Sequence, residues 1–260
     1  MESANIVGYT TNEIEKDSTA LKYTMMSIPF TSVDGSGISL QDINFANPTL
    51  GLGFDTADEV LLWLPDVQTY EKYYLYGVKG YEDVLPPTWK SNADDTPFDT
   101  AHPNGLPAGT VFWYYAKATS EAGSMTVSGQ VADDSYVTFE IGHATSGNNY
   151  YFVANPYPTA LNIAWDGGQV DWGEATLGLG FDTADEILIW DPSVQTYVKY
   201  YIYGVKGYES QLVPTWKSNA DDSLFSSAYP NGLPVGTPFW YYSKKADTAI
   251  TQTIKFNNPL

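Results

Sequence analysis

The sequence contains no cysteine and no arginine, and histidine occurs only twice. Without cysteine the chain has no disulfide, no thiolate metal site and no cysteine nucleophile. Its twelve basic residues are all lysines, and 31 acidic residues outnumber them to give a formal net charge of −19. An acidic chain without arginine is a poor match for phosphate backbones or anionic membranes, so we expect no nucleic-acid partner.

Long apolar runs are missing too, since no stretch approaches the roughly 18 apolar residues of a transmembrane helix. No helical period is convincing, whereas the chain has 21 Tyr, 8 Trp, 22 Gly and 16 Pro. Such a composition is typical of short strands separated by turns, and it predicts an all-β fold. Abundant Tyr, Thr, Ser and Asn with few charges favour a secreted or cell-surface bacterial protein, with its signal peptide removed.

One segment of the chain occurs twice. Residues 50–60 are LGLGFDTADEV and residues 177–187 are LGLGFDTADEI, at a spacing of 127. This spacing holds without a gap across residues 50–115 and 177–242, where 50 of the 66 aligned positions are identical. A repeated unit of about 125 residues is long enough to bury its own core.

The repeat therefore predicts two homologous tandem domains, at residues 1–130 and 131–260. Strands of four to seven residues between Gly/Pro turns favour a small β-barrel or β-sandwich in each. The loops at residues 32–47 and 159–173 differ between the copies. Divergent loops on matched scaffolds are where ligand preferences usually differ.

The doubled segment carries the sharpest catalytic hypothesis. In residues 54–65 and 181–192, Phe-Asp-Thr-Ala is followed by an apolar run that contains Trp and ends in Pro. This pattern resembles the active-site segment of pepsin-like aspartic peptidases, a family that places one such segment in each of two related lobes. Asp58 and Glu59 follow in the first copy, where that family usually has Ser or Thr.

The resemblance implies a catalytic dyad of Asp55 and Asp182, with the Thr56 and Thr183 hydroxyls bracing the two loops. Two carboxylates about 3 Å apart share one proton, and the pair activates a water for attack on a peptide carbonyl. No cofactor is needed for this chemistry. The resemblance implies an endopeptidase, and the exported, aromatic-rich and acidic character of the chain favours extracellular, mucin-like glycoproteins as its substrates. In the other interpretation, each Asp opens a turn and accepts backbone N–H bonds.

A competing hypothesis is a non-catalytic surface module that binds glycans or a host protein through exposed aromatic rings. Trp89, Trp216, Tyr115 and Tyr242 are the candidate platforms, since an aromatic face suits the apolar side of a pyranose ring. Adjacent tyrosines on a strand point to opposite faces of the sheet, so about half of the Tyr pairs belong to the core.

The sequence contains two further candidate sites. Asp94, Asp95, Asp221 and Asp222 gather oxygen ligands in two equivalent loops, a weak calcium alternative to a solvated acidic turn. No metal is otherwise expected. The histidines, His102 and His143, have no histidine counterparts in the other copy, and no Gly-x-Ser-x-Gly motif accompanies them to indicate a Ser-His-Asp triad.

Overall fold

The computed structural model describes residues 7–65, 67–117, 119, 121–141, 150–244 and 252–260. The chain divides into two compact units, here called the first and second domains: Met1–Ala132 with Pro192–Gln195, and Asp133–Asp191 with Thr196–Leu260. The predicted all-β class is confirmed, since the secondary structure is almost entirely strands in four antiparallel sheets. Among the described residues, no helix has the length and apolar character needed to span a membrane.

The first domain contains a five-stranded and a three-stranded sheet. Its strands are β1 (Val7–Ile14), β2 (Lys22–Ser27), β3 (Asn44–Ala46), β4 (Glu59–Leu64), β5 (Thr69–Tyr76), β6 (Thr88–Ser91), β7 (Val111–Ala116) and β8 (Gly123–Gln130). The five-stranded sheet has the order β2-β7-β4-β5-β6, and the three-stranded sheet has the order β1-β8-β3. The apolar β4 is therefore the central strand of the larger sheet.

Both sheets of the first domain contribute side chains to one hydrophobic core. Ile14, Phe45 and Met125 come from the three-stranded sheet, and Val60 and Phe112 come from the five-stranded sheet. Alternate positions along each strand point to the same face, so one face of each sheet is apolar and packs inward. The domain is a two-layer β-sandwich.

The second domain repeats this arrangement. Its strands are β9 (Tyr136–Ile141), β10 (Tyr150–Val153), β11 (Val170–Asp171), β12 (Glu186–Asp191), β13 (Thr196–Tyr203), β14 (Thr215–Ser218), β15 (Phe239–Tyr242) and β16 (Gln252–Asn257). The sheet orders are β10-β15-β12-β13-β14 and β11-β16-β9. The two layers meet where Gln252 Nε2 donates a hydrogen bond to the Tyr241 hydroxyl at 2.6 Å.

Each domain also contains, within its described residues, one short helix that the sequence does not predict. These are α1 (Phe98–Ala101) and α2 (Phe225–Ala228), each a single turn of four residues. A single turn is too short to produce a helical period in the sequence. Phe98 and Phe225 are buried, so each turn is anchored to the core by one ring.

Candidate functional site

The Phe-Asp-Thr-Ala segments form exposed turns that precede β4 and β12. Asp55 and Thr56 are exposed, and the Thr56 hydroxyl donates to Gly53 O at 3.1 Å. Asp182 and Thr183 are exposed likewise, and the Thr183 hydroxyl donates to the backbone of its own turn at 3.2 Å. Each threonine braces only its own turn. Water around the carboxylates weakens the like-charge repulsion that makes a dyad share a proton, so their exposure does not support the predicted dyad.

Two acids of the first segment, Asp58 and Glu59, are buried, and the Asp58 side chain is fully inaccessible. The Asp58 carboxylate accepts four hydrogen bonds, from Lys117 N (2.7 Å), Thr49 N (2.8 Å), the Tyr114 hydroxyl (2.7 Å) and Lys16 Nζ (3.1 Å). Thr49 precedes the turn in the sequence. Tyr114 lies on the neighbouring strand β7, and Lys117 directly follows that strand. One carboxylate therefore fixes both ends of the exposed turn to the domain core.

Asp185 has the equivalent place in the second domain. Its carboxylate accepts hydrogen bonds from Thr176 N (2.8 Å), Lys244 N (2.6 Å) and the Tyr241 hydroxyl. Burial raises the pKa of Asp185, and these hydrogen bonds offset the rise only in part. The position that matches Lys16 is His143, which lies outside the described residues.

We expect the second domain to lose stability as pH rises through the elevated pKa of Asp185. A folded-state pKa above the reference value of 3.8 favours the protonated carboxyl in the folded state. The protonated Asp185 carboxyl therefore contributes its full stabilisation at pH values below 3.8. This contribution is lost as the carboxyl ionises at higher pH. Asp185→Asn removes this titration.

Equilibrium denaturation of the wild type and of Asp185→Asn at a series of pH values measures this loss of stability. The free energy of unfolding of the wild type should fall relative to that of Asp185→Asn as pH increases through this window. A difference between the two proteins that stays constant with pH would contradict the expectation.

Trp89 and Trp216 are core side chains, only 1% and 2% exposed. The Trp89 ring packs edge-on against Phe45 with centroids 5.4 Å apart, and Trp216 packs against Trp172 at 4.8 Å. Their indole faces are not open to a sugar ring, which corrects the predicted role. The reason is strand parity, because Trp89 and Trp216 occupy the inward-facing positions of β6 and β14.

Tyr115 and Tyr242 are partly exposed, but neighbouring side chains engage their rings. Tyr23 stacks on Tyr115 with centroids 4.4 Å apart, and Lys117 Nζ lies 4.5 Å from the Tyr115 centroid. Tyr242 has the equivalent two neighbours, each at 4.4 Å. Lys117 is itself held by Glu59 at 2.8 Å. These tyrosines therefore belong to the packed outer surface of each larger sheet.

The four aspartates of the calcium alternative accept hydrogen bonds within their own domains. Asp94 accepts a backbone N–H two residues on at 3.0 Å, and Asp95 accepts the Tyr74 hydroxyl at 2.6 Å. Asp221 and Asp222 repeat these contacts at 3.1 and 2.7 Å. Within the described part of the chain, no cluster of three or more His, Asp or Glu side chains is suited to a metal ion.

His102 belongs to a polar cluster of the first domain. Its Nε2 lies 3.0 Å from Glu71 Oε2 and 3.0 Å from the Tyr73 hydroxyl, and its ring stacks on Phe98 at 4.7 Å. These contacts include no serine, so they do not form a Ser-His-Asp triad. A groove of about 580 Å³ near this cluster includes the charged side chains of Glu71, Lys72 and Asp94 in its lining.

A groove in the second domain is the site that sequence reasoning missed. Its volume is about 430 Å³, and its lining residues all lack charge: Asn162, Ala164, Thr215, Trp216, Phe225, Ser226, Tyr229, Pro230, Asn231 and Gly232. The indole Nε1 of Trp216 is buried and has no hydrogen-bond partner in the described structure. The main signal in the sequence was the divergence of residues 159–173, which contribute Asn162 and Ala164 to the lining.

The structure thus brings one predicted binding residue, Trp216, to the edge of a groove. It places the predicted catalytic pairs on exposed turns, one in each domain. No protein-family model, no curated protein and no solved structure matches the chain. Function is therefore inferred from the geometry described above.

Proposed function

We propose that this chain is a non-catalytic secreted or cell-surface module that binds neutral glycans through the groove of its second domain. The observation that carries the proposal is the lining of that groove, in which aromatic, amide and hydroxyl groups occur without any charged side chain. Small-molecule sites typically combine apolar walls with a few polar groups in a volume of about 300–1,000 Å³. The groove has this composition and falls in this size range.

The absence of charge is informative because the chain carries 31 acidic residues. None of the described acidic residues or lysines lines the groove, so this part of the chain supplies no carboxylate there to pair with a cationic ligand and no cation to pair with an anionic one. A neutral sugar carries no charge, and its hydroxyls both donate and accept. Asn231, Tyr229 and Thr215 offer complementary amide and hydroxyl groups.

The endopeptidase hypothesis remains a prediction from the resemblance and has its own test. If a peptide substrate is cleaved at about pH 4, the shared-proton mechanism requires Asp55→Asn to abolish cleavage. Retained cleavage in that variant would remove the dyad of Asp55 and Asp182. Peptide cleavage that Asp55→Asn abolishes would contradict the non-catalytic role proposed here.

Asn231→Ala should weaken binding of a neutral glycoside by about threefold to tenfold, the range expected for one lost hydrogen bond. Asn231 is exposed, so the substitution leaves folding intact. We would titrate the full chain with methyl β-D-glucopyranoside and methyl β-D-galactopyranoside and follow amide chemical shifts. Asn104→Ala is the matched control, because Asn104 is the exposed equivalent in the first domain.

The control variant should bind like the wild type. Equal weakening by both substitutions would place the binding elsewhere, and failure of both glycosides to bind the wild type would refute the proposed function.

A further inference from the structure

The strands β6 and β14 are equivalent edges of the two larger sheets, but the loops that lie near them differ in sequence. Ile38 exchanges backbone hydrogen bonds with Leu106 at 2.8 and 2.9 Å, and Leu161 exchanges the same pair with Leu233 at 2.8 and 2.9 Å. Leu106 and Leu233 are equivalent in the repeat, at the spacing of 127. Ile38 and Leu161 are therefore equivalent as well, although the repeat spacing fails in this loop.

Three residues further on, Gln41 in the first domain corresponds to Ala164 in the second. Local hydrogen bonds support this correspondence. Gln41 N donates to Ser39 Oγ at 3.0 Å, and Ala164 N donates to Asn162 Oδ1 at 3.0 Å. Each contact belongs to the same kind of turn, in which a polar side chain accepts a hydrogen bond from the backbone N–H two residues later.

In the first domain the carboxamide of Gln41 binds the outer edge of β6. Its Nε2 donates to Pro87 O at 3.0 Å, and its Oε1 accepts from Trp89 N at 3.0 Å. An edge strand presents a row of outward-facing donors and acceptors. One glutamine side chain satisfies one of each.

In the second domain Thr215 and Trp216 of the equivalent edge line the groove, directly after Pro214, and Ala164 stands where the first domain has Gln41. Ile202 N donates to Asp185 O at 3.0 Å, so its cross-strand partner Trp216 directs its own N–H away from β13 and off the sheet. Ala164 and Trp216 both line the groove. The methyl group of Ala164 has no hydrogen-bonding atom for Pro214 O or Trp216 N, and no other described side chain bonds them.

We propose that the sugar bound in this groove is recognised through two vicinal hydroxyls, which take the place that the Gln41 carboxamide has in the first domain. The inference rests on the proposed function and specifies its ligand. One hydroxyl donates to Pro214 O, and its neighbour accepts from the Trp216 backbone N–H. Each hydroxyl can act as donor or acceptor, so a vicinal pair reproduces the adjacent donor and acceptor of a primary carboxamide.

An N-acetyl group fits this edge less well than a vicinal diol. In a trans secondary amide the N–H and the C=O point in opposite directions. The N-acetyl group therefore cannot donate to one backbone atom and accept from its neighbour on the same strand edge. The primary amide of Gln41 does both. The site therefore favours the ring hydroxyls of a neutral hexose.

Two deoxy analogues of the tighter-binding methyl glycoside test this inference on the full chain. The 3-deoxy and 6-deoxy sugars have equal numbers of hydroxyls, but only the 6-deoxy sugar keeps a vicinal pair. We expect about tenfold or greater weakening for the 3-deoxy sugar and less than about threefold weakening for the 6-deoxy sugar. Equal affinities would overturn the vicinal-diol inference and leave the proposed function intact, whereas no binding of the parent glycoside would refute the proposed function itself.

A variant of the groove provides an independent readout. Ala164→Gln should restore the contact seen in the first domain, occupy Trp216 N and Pro214 O, and weaken glycoside binding by at least about tenfold. Ala164→Ser is the matched control, since its shorter side chain leaves the edge open. Wild-type affinity in Ala164→Gln, with a well-dispersed amide spectrum, would contradict the assignment.

Discussion

Replacing Asp58 with alanine should lower the free energy of unfolding of the first domain by about 3–5 kcal/mol, the range measured when one partner of a buried ion pair is removed. The Asp58 carboxylate and the Lys16 side chain are 0% and 2% exposed and lie 3.1 Å apart. The substitution leaves that ammonium buried without its counter-ion. It also leaves the Tyr114 hydroxyl and two backbone N–H groups without their acceptor.

Denaturant titration of the full chain, followed by amide resonances from both domains, measures this loss. Asp55→Ala is the matched control three residues away, and it should change the free energy of unfolding by less than about 0.5 kcal/mol because Asp55 is exposed. Equal effects of the two substitutions would refute the claim that Asp58, and not Asp55, anchors the segment.

Trp89→Ala should destabilise the first domain by about 3–5 kcal/mol, the usual range for truncating a buried tryptophan. The Trp89 ring is 1% exposed and packs between the sheets against Phe45 and Tyr114. A sugar-stacking platform would behave differently, since its loss would weaken binding and leave stability almost unchanged.

The same denaturant titration tests this prediction. Tyr81→Ala serves as its control, because Tyr81 is an exposed aromatic residue of the same domain, at 62%. We expect Tyr81→Ala to change stability by less than about 0.5 kcal/mol. A stable Trp89→Ala variant with impaired glycoside binding would restore the predicted platform.

Strands that contain a strong apolar or aromatic run were predictable, because such a run favours a strand locally. The apolar run at Val60–Leu64 and the aromatic run at Tyr70–Tyr76 indicate strands, and the structure has them as Glu59–Leu64 and Thr69–Tyr76. The single-turn helices were not predictable, since one turn carries no period. The sheet orders were also beyond reach, because strands such as β2 and β7 pair across more than eighty residues.

The roles of the acids depended on long-range contacts. Asp55 and Asp58 lie in the same short segment, and nothing local distinguishes an exposed carboxylate from a buried one. Asp58 is buried because Tyr114 and Lys117, 56 and 59 residues further along, supply its donors. A motif read by composition therefore drew attention to Asp55, the residue that the fold leaves in water.

The groove was hidden for a related reason. Its distinguishing feature is Ala164 at the place that Gln41 fills in the first domain, and the loops that contain them do not align at the repeat spacing. The matching backbone hydrogen bonds to Leu106 and Leu233, together with the matching turns at Gln41 and Ala164, reveal the correspondence. The sequence divergence of residues 159–173 indicated the loop that lines the groove. It did not indicate that Ala164 replaces the Gln41 carboxamide in that loop.

The most direct test of glycan binding in the second domain is a map of amide chemical-shift changes across the full chain as a methyl hexoside is added. We predict that the largest changes occur at Trp216, Ala164 and Asn231, with the equivalent first-domain amide of Trp89 unchanged. Changes concentrated at the turns of Asp55 and Asp182, with the groove unaffected, would contradict this account.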